Sequence, residues 1–173
     1  MKLASIILAV VLVGTTAARA EMVDFKSDEH RFTIKHPAEW KPVEATQAAV
    51  VARFVTPLEG ESDKYQEEFS IKIIEMNTQA DVNELVDSIK PGMAQQLAGY
   101  VEKTDDKLTL AGLAARRVVS EVATQFSPIR STQWFVVDGT RLLIITLNTT
   151  PATAEQYKPH GDAMIESLTI VKE

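Results

Sequence analysis

The run from Ser131 to Asn148, STQWFVVDGTRLLIITLN, constrains this chain more than any other stretch. Two segments of β-branched, aromatic and aliphatic residues flank Asp138-Gly139. An Asp-Gly pair in that setting is a strong hairpin signal, because a type I′ turn needs positive φ at both central residues. The second segment, Leu142 to Leu147, is apolar almost without a break, which predicts a strand covered on both faces. The hairpin should therefore lie inside a sheet sandwiched by helices, and its burial argues against a functional site there.

The N-terminus carries a positive residue at Lys2, an apolar core from Leu3 to Val13 and small residues ending in Ala18-Arg19-Ala20. That is the pattern of a secretory signal peptide with an A-x-A site, shorter than the roughly 18 apolar residues of a membrane span. Cleavage is expected before Glu21, leaving residues 21–173 as a single domain, soluble and not inserted in a membrane. The whole chain has a net charge of −6, and the leader removes two further positive residues, so the mature protein is more acidic still. Acidity without a Lys/Arg cluster argues against binding nucleic acid or anionic lipid. There is no cysteine, which excludes disulfides, thiolate metal sites, a cysteine nucleophile and a lipidated cysteine. The style of the leader points to a bacterial chain and a periplasmic location.

Along the mature chain, Met22 to Lys26 reads as a short strand, and His30 to Lys35 alternates with the period of a half-buried strand that His36-Pro37 stops. Trp40 is expected to fold back as a plug over the sheet edge. Ala48 to Thr56 and Phe69 to Met76 read as further strands around a polar loop, and the first three strands suggest a meander. From Asp81 the apolar period becomes helical through Val82, Leu85, Val86, Ile89, Met93, Leu97 and Tyr100, with Asp81 as N-cap, Gly99 at the end and a kink or break at Pro91-Gly92. Leu108 to Gly112 and Ala114 to Ala123 form strands around a turn. A second helix follows Pro151 with a stripe of Ala154, Tyr157, Gly161, Met164, Ile165 and Leu168, weakened or split at Pro159 and Gly161, before a short extended tail. Strands, helix, strands, helix with antiparallel neighbours give an α+β fold, a three-layer α/β/α sandwich around a mainly antiparallel sheet.

The segment Phe32-Thr33-Ile34-Lys35-His36-Pro37-Ala38-Glu39-Trp40 resembles the F-x-I-x-x-P-x-x-W opening of PsbP-like domains, the group of the extrinsic P subunit of photosystem II and its exported bacterial relatives. Phe69-Ser70-Ile71, the helix from Asp81, Leu108 to Gly112 followed by Ala114 and Arg116, and the terminal Ser167-Leu168 fit in order. The periplasmic DcrB-like proteins are similar in the same way. The resemblance implies the α/β/α sandwich and a role without catalysis, as an accessory or assembly factor that binds other proteins; some members bind calcium or other divalent metals. None of the family's metal ligands maps onto a position of this chain, and the chain lacks the long basic N-terminal arm of the plant subunit.

Read from the residues, His30 with Asp24, Asp28 and Glu29 offers a set for zinc or manganese, and Glu59, Glu61, Asp63, Glu67 and Glu68 offer oxygens for calcium, though without EF-hand spacing. His36 reads as a strand-end packing residue. No G-x-S-x-G, P-loop, G-x-G-x-x-G or H-E-x-x-H is present, and Ser127, Asp138 and His160 make no credible triad, so no catalytic residue and no cofactor are assigned. Arg116 and Arg117, neighbours on a strand, should point to opposite faces, one meeting a carboxylate such as Asp87 or Glu166 or else an anionic ligand. Trp40, Trp134 and Tyr157 are core residues or anchors of a protein-binding patch, with core favoured for Trp134. The expected function is that of an exported, non-enzymatic accessory protein acting on another exported or membrane protein. A small-ligand or divalent-metal module and a hydrolase without a motif are the alternatives. Any working surface is expected at Trp40, the acidic loop and the sheet edges.

Overall fold

The structure, a computed structural model, describes residues 21–58, 60 and 65–171. The leader, with its cleavage site, and Glu59, Glu61 and Asp63 of the acidic loop lie outside the described residues. A small antiparallel sheet is built from β1 (Met22–Ser27), β2 (Phe32–Pro37) and β10 (Thr169–Ile170), with β2 central. The larger sheet contains β3 (Lys41–Pro42), β4 (Val50–Val55), β5 (Glu68–Glu75), β6 (Val101–Leu110), β7 (Leu113–Val122), β8 (Ile129–Asp138) and β9 (Arg141–Thr149). Its spatial order is β3-β4-β5-β9-β8-β7-β6, antiparallel throughout. Helices α1 (Val82–Gln96) and α2 (Ala154–Glu166) complete the fold.

The early strands do not form one meander. The β1–β2 hairpin pairs with the C-terminal β10, whereas β4 joins β5 in the other sheet. Pro37 closes β2 opposite Met22 rather than stopping the strand before it.

The hairpin expected from Ser131 to Asn148 forms as β8 and β9, but its turn lies one residue later than expected. Asp138 is the last residue of β8 and pairs with Arg141, so Gly139-Thr140 is the loop. Positive φ occurs at Gly139 alone, at 63°, the pattern of a type II′ turn rather than type I′. Asp138 is accounted for by its ion pair with Arg141, not by the turn itself.

Alternation along β8 and β9 sorts their side chains into two clusters. Trp134, Val136, Leu143, Ile145 and Leu147 join Trp40, Tyr157, Met164 and Ile165. Phe135 and Leu142 join Val82 and Val86 of α1 and Val118 of β7. Double coverage is therefore real at the turn end of β9. It fails toward Asn148, because α1 packs on β7 and β8 and leaves the rest of its side of the sheet uncovered.

Both helices run through their prolines. Pro91 lies inside α1 and Pro159 inside α2, and neither splits its helix. Asp81 caps α1, its carboxylate accepting from the Asn83 and Glu84 amides at 2.8 and 3.1 Å. Those bonds hold the Asp81 carboxyl below its usual range. The α1 stripe stops short of the expected one: the helix ends at Gln96, Leu97 is exposed, and Tyr100 precedes β6. The stripe expected for α2 is buried as read, including Gly161, where an added Cβ would stand 2.6 Å from the side chain of Leu147.

Trp40 is not an edge plug. It is 1 % exposed and packs with Tyr157 and His160 of α2, ring centroids 6.0 and 6.2 Å away, as part of the main core.

Candidate functional site

Arg116 and Arg117 do point to opposite faces, and each finds a carboxylate. Arg116, buried on the α1 side, donates twice to Asp105 at 2.6 Å, and its Nη1 reaches Asp87 of α1 at 2.7 Å and the Asn83 carbonyl at 3.1 Å. Lys90 adds a further pair to Asp105 and another to Glu102 at 2.8 Å. The Arg116 guanidinium, with Lys90 behind it, holds the Asp105 carboxyl down at about 2. Arg116 is in turn held well above its usual range by Asp105 and Asp87. This network fastens α1 to β6 and β7. Arg117 pairs with Asp106 at 2.7 Å; Glu166 serves neither arginine.

The metal candidates are dispersed. Asp24 faces Lys35 at 3.5 Å and Asp28 faces Lys26 at 2.7 Å, so the set proposed around His30 does not converge. Glu67 is buried and accepts from the Thr56 and Thr153 hydroxyls at 3.3 and 2.6 Å, while Glu68 is taken by Arg53 at 2.7 Å. Among the described residues no three histidine or acidic side chains form a metal-binding group. His36 packs as expected, stacked on Phe54 with centroids 4.6 Å apart and Nδ1 2.9 Å from the Pro37 carbonyl. Ser127 and Asp138 flank opposite ends of β8, about 30 Å apart, and cannot share a catalytic centre.

What the sequence reading missed lies at the other end of the sheet. The β7–β8 loop is ordered by Thr124, whose hydroxyl accepts from the Phe126 and Ser127 amides, both at 3.2 Å, and donates to the Ser127 carbonyl at 2.7 Å. This turn displays Phe126 with 88 % of its surface exposed. The Ala123 amide donates to the Ala98 carbonyl at 2.8 Å, tying the loop to the tail of α1, where Leu97 is also exposed; Val101 begins β6 beside them. From this end an open groove of about 360 Å³ runs over the face that α1 leaves bare. Leu97, Val122 and Ile129 form its apolar end, and Ser131, Gln133, Thr146 and Asn148 are part of its polar floor. An aromatic residue alone in the polar stretch Thr124 to Pro128 was the available sequence signal.

A second concavity, about 300 Å³, lies on the opposite face between α2 and strands β6 to β9. Trp134 and Leu147, buried members of the core, also line it. Its rim is charged. Glu121 binds Lys103 at 2.9 Å and Arg130 at 2.8 Å, and these two cations hold its carboxyl below the usual range.

A seven-stranded antiparallel sheet joined to a three-stranded one, with one helix packed against each of its two clusters, defines a sheet-dominated fold of the PsbP type. Cyanobacterial PsbP (CyanoP) from Synechocystis shares it at a TM-score of 0.67, with 14 % identity over 90 % of this chain and 95 % of that one. LpqN of Mycobacterium tuberculosis, described as involved in cell envelope biogenesis, superposes at 0.68, with 14 % identity over 88 % of this chain and 91 % of that one. The Saccharomyces cerevisiae Ran-binding protein Mog1p gives 0.61, with 10 % identity over 89 % and 97 %. More particularly, residues 33–167 match the DcrB family model, well over half of the chain, and the protein belongs to the DcrB family. No match is found among the curated proteins. No helix among the described residues is long and apolar enough to cross a membrane.

Proposed function

We propose that this chain is an exported, non-enzymatic accessory protein that works in the periplasm by docking another exported or membrane protein on the face of the large sheet left open by α1. The observation that carries this reading is Phe126, 88 % exposed on an ordered turn in the loop that joins Val122 to Ile129, two residues that line the apolar end of a groove with a polar floor. Leaving a phenylalanine in water forgoes about 1.5–3 kcal/mol of burial, and an aromatic side chain displayed in this way is suited to anchor a protein interface. We read the architecture behind it as three layers: α1, the large sheet, and α2 with the small sheet. The fold relatives described as Ran-binding and as involved in envelope biogenesis accord with an accessory role. The leader read from the sequence accords with export.

Site-specific photocrosslinking tests it. A benzophenone side chain at position 126 is expected to capture a discrete envelope protein in living cells, with the adduct lost on Leu97→Asp. A probe at position 158 on α2 is expected not to capture it. Equal capture at both positions, or none at 126, contradicts the reading. A small-ligand role is compatible with this one and has its own seat, the cleft beside α2.

A further inference from the structure

The cleft beside α2 exists because of strand register. Thr104, Val119, Thr132 and Leu147 stand side by side on β6, β7, β8 and β9. The next row on the same face is Asp106, Arg117, Trp134 and Ile145, and the row on the other side is Glu121, Arg130 and Thr149. A row of mostly short side chains between two rows of long ones leaves a hollow, with Arg117 and Arg130 about 13 Å apart along the strands. Ala154 and Lys158 of α2 supply the side wall. At about 300 Å³ and bounded on three sides, the hollow is at the small end of ligand-pocket sizes, typically about 300–1,000 Å³.

Charge at the rim is asymmetric in what it leaves unused. The acids are engaged: Asp106 by Arg117, Glu121 by Lys103 and Arg130, and Asp162 by Lys158. Arg117 keeps a donor unused by any described residue, and Arg130 has one only weakly held. Arg117 uses Nε and Nη2 on Asp106, and no described residue takes its Nη1. Arg130 uses Nε and Nη2 on Glu121, and its Nη1 has only Glu155 at 3.5 Å, a carboxylate 83 % exposed. A surface pair that long contributes little and yields readily to a competitor. A largely apolar floor flanked by one unused and one weakly held guanidinium donor suits a ligand with an apolar body and an anionic end.

We propose that the cleft formed by the Thr104–Val119–Thr132–Leu147 row and α2 binds a small anionic amphiphile, a carboxylate or phosphate carried on a short acyl chain or a single ring. The site lies on the opposite face of the sheet from the Phe126 groove and is independent of it.

Calorimetric titration of the exported protein tests this with octanoate, octyl phosphate and neutral octyl glucoside, each below its micelle concentration. Octanoate or octyl phosphate is expected to bind about tenfold more tightly than the glucoside, and the stronger of the two tells carboxylate from phosphate. The double variant Arg117→Gln, Arg130→Gln is expected to erase that preference. Thr104→Trp, at the exposed end of the floor, fills the hollow and is expected to abolish binding while the melting temperature stays near wild type. Phe126→Ala is expected to leave the titration unchanged. No binding of either anion at millimolar concentration, equal affinity for all three probes, or undiminished binding by folded Thr104→Trp would overturn the assignment.

Discussion

Arg116 decides where α1 lies. Its guanidinium is buried and held by two acids and a carbonyl, so removing a partner leaves a charge in a poorly solvated place. Asp105→Asn is expected to cost about 3 kcal/mol at neutral pH, measured by urea unfolding. Its pH dependence has a definite sign. The folded-state value of Asp105 is depressed to about 2, so its contribution is complete above the unfolded value of 3.8 and is lost as pH falls through about 2. The stability gap between wild type and Asp105→Asn is therefore expected to hold down to about pH 4 and to close below it. A gap that persists at pH 2 would contradict the pairing. The sequence made part of this network legible, since one of Arg116 and Arg117 was expected to meet a carboxylate such as Asp87 or Glu166, and Arg116 with Asp87 is the pair that forms. Asp105 was invisible as a partner because its segment, Val101 to Lys107, does not look like a strand: charges fill it and its one apolar residue is exposed. Those are the marks of an edge strand that must not pair further, and a bulge between Glu102 and Thr104 adds to them.

At the level of elements, two tight hairpins set the registers on which both concavities depend. The β8–β9 turn was legible through Gly139 but not its exact frame. Loops of Asp138-Gly139 and Gly139-Thr140 put the same residues on the same faces, so periodicity cannot choose between them. The observed frame places Asp138 against Arg141, and that ion pair favours it. At the β6–β7 turn, Ala111 is held at a φ of 49° and Gly112 at 77°. A left-handed conformation costs a residue with a Cβ about 1–2 kcal/mol. Gly139→Ala is expected to destabilise the protein by about that amount. Ala111→Gly is expected to stabilise it by about 0.5–1 kcal/mol, because relief of strain is partly offset by the entropy of a new glycine. Denaturant midpoints measure both, and a gain from Gly139→Ala would refute the turn geometry. Continuity of α1 past Pro91 was legible in an apolar phase that runs straight through it, whereas that of α2 through Pro159 was not, since whether a proline splits a helix depends on tertiary packing as well as on local preference.

Across the whole molecule, function follows from how much of the sheet each helix covers. The run Leu142 to Leu147 reads as buried on both sides, and at Leu142, Leu143 and Ile145 it is. A helix of 15 residues spans about 22 Å, too short for a face of seven strands, and what it leaves bare is the groove. The extent of coverage is set by the Arg116 network, a long-range contact that no local pattern reports. The α2 cleft was hidden for a similar reason: its floor takes one residue from each of four strands, and only the pairing register brings them into a row. Phe126 contributes almost no buried area, so Phe126→Ala should change stability by less than about 0.5 kcal/mol while weakening capture of the partner. Thermal melting beside the crosslinking yield separates the two effects. The most direct test of the open groove as the working surface is hydrogen–deuterium exchange on the protein alone and bound to its crosslinked partner. Slowed exchange in residues 95–101 and 120–133, with α2 unchanged, is the predicted result; protection confined to α2 or to the β1–β2 hairpin would contradict it.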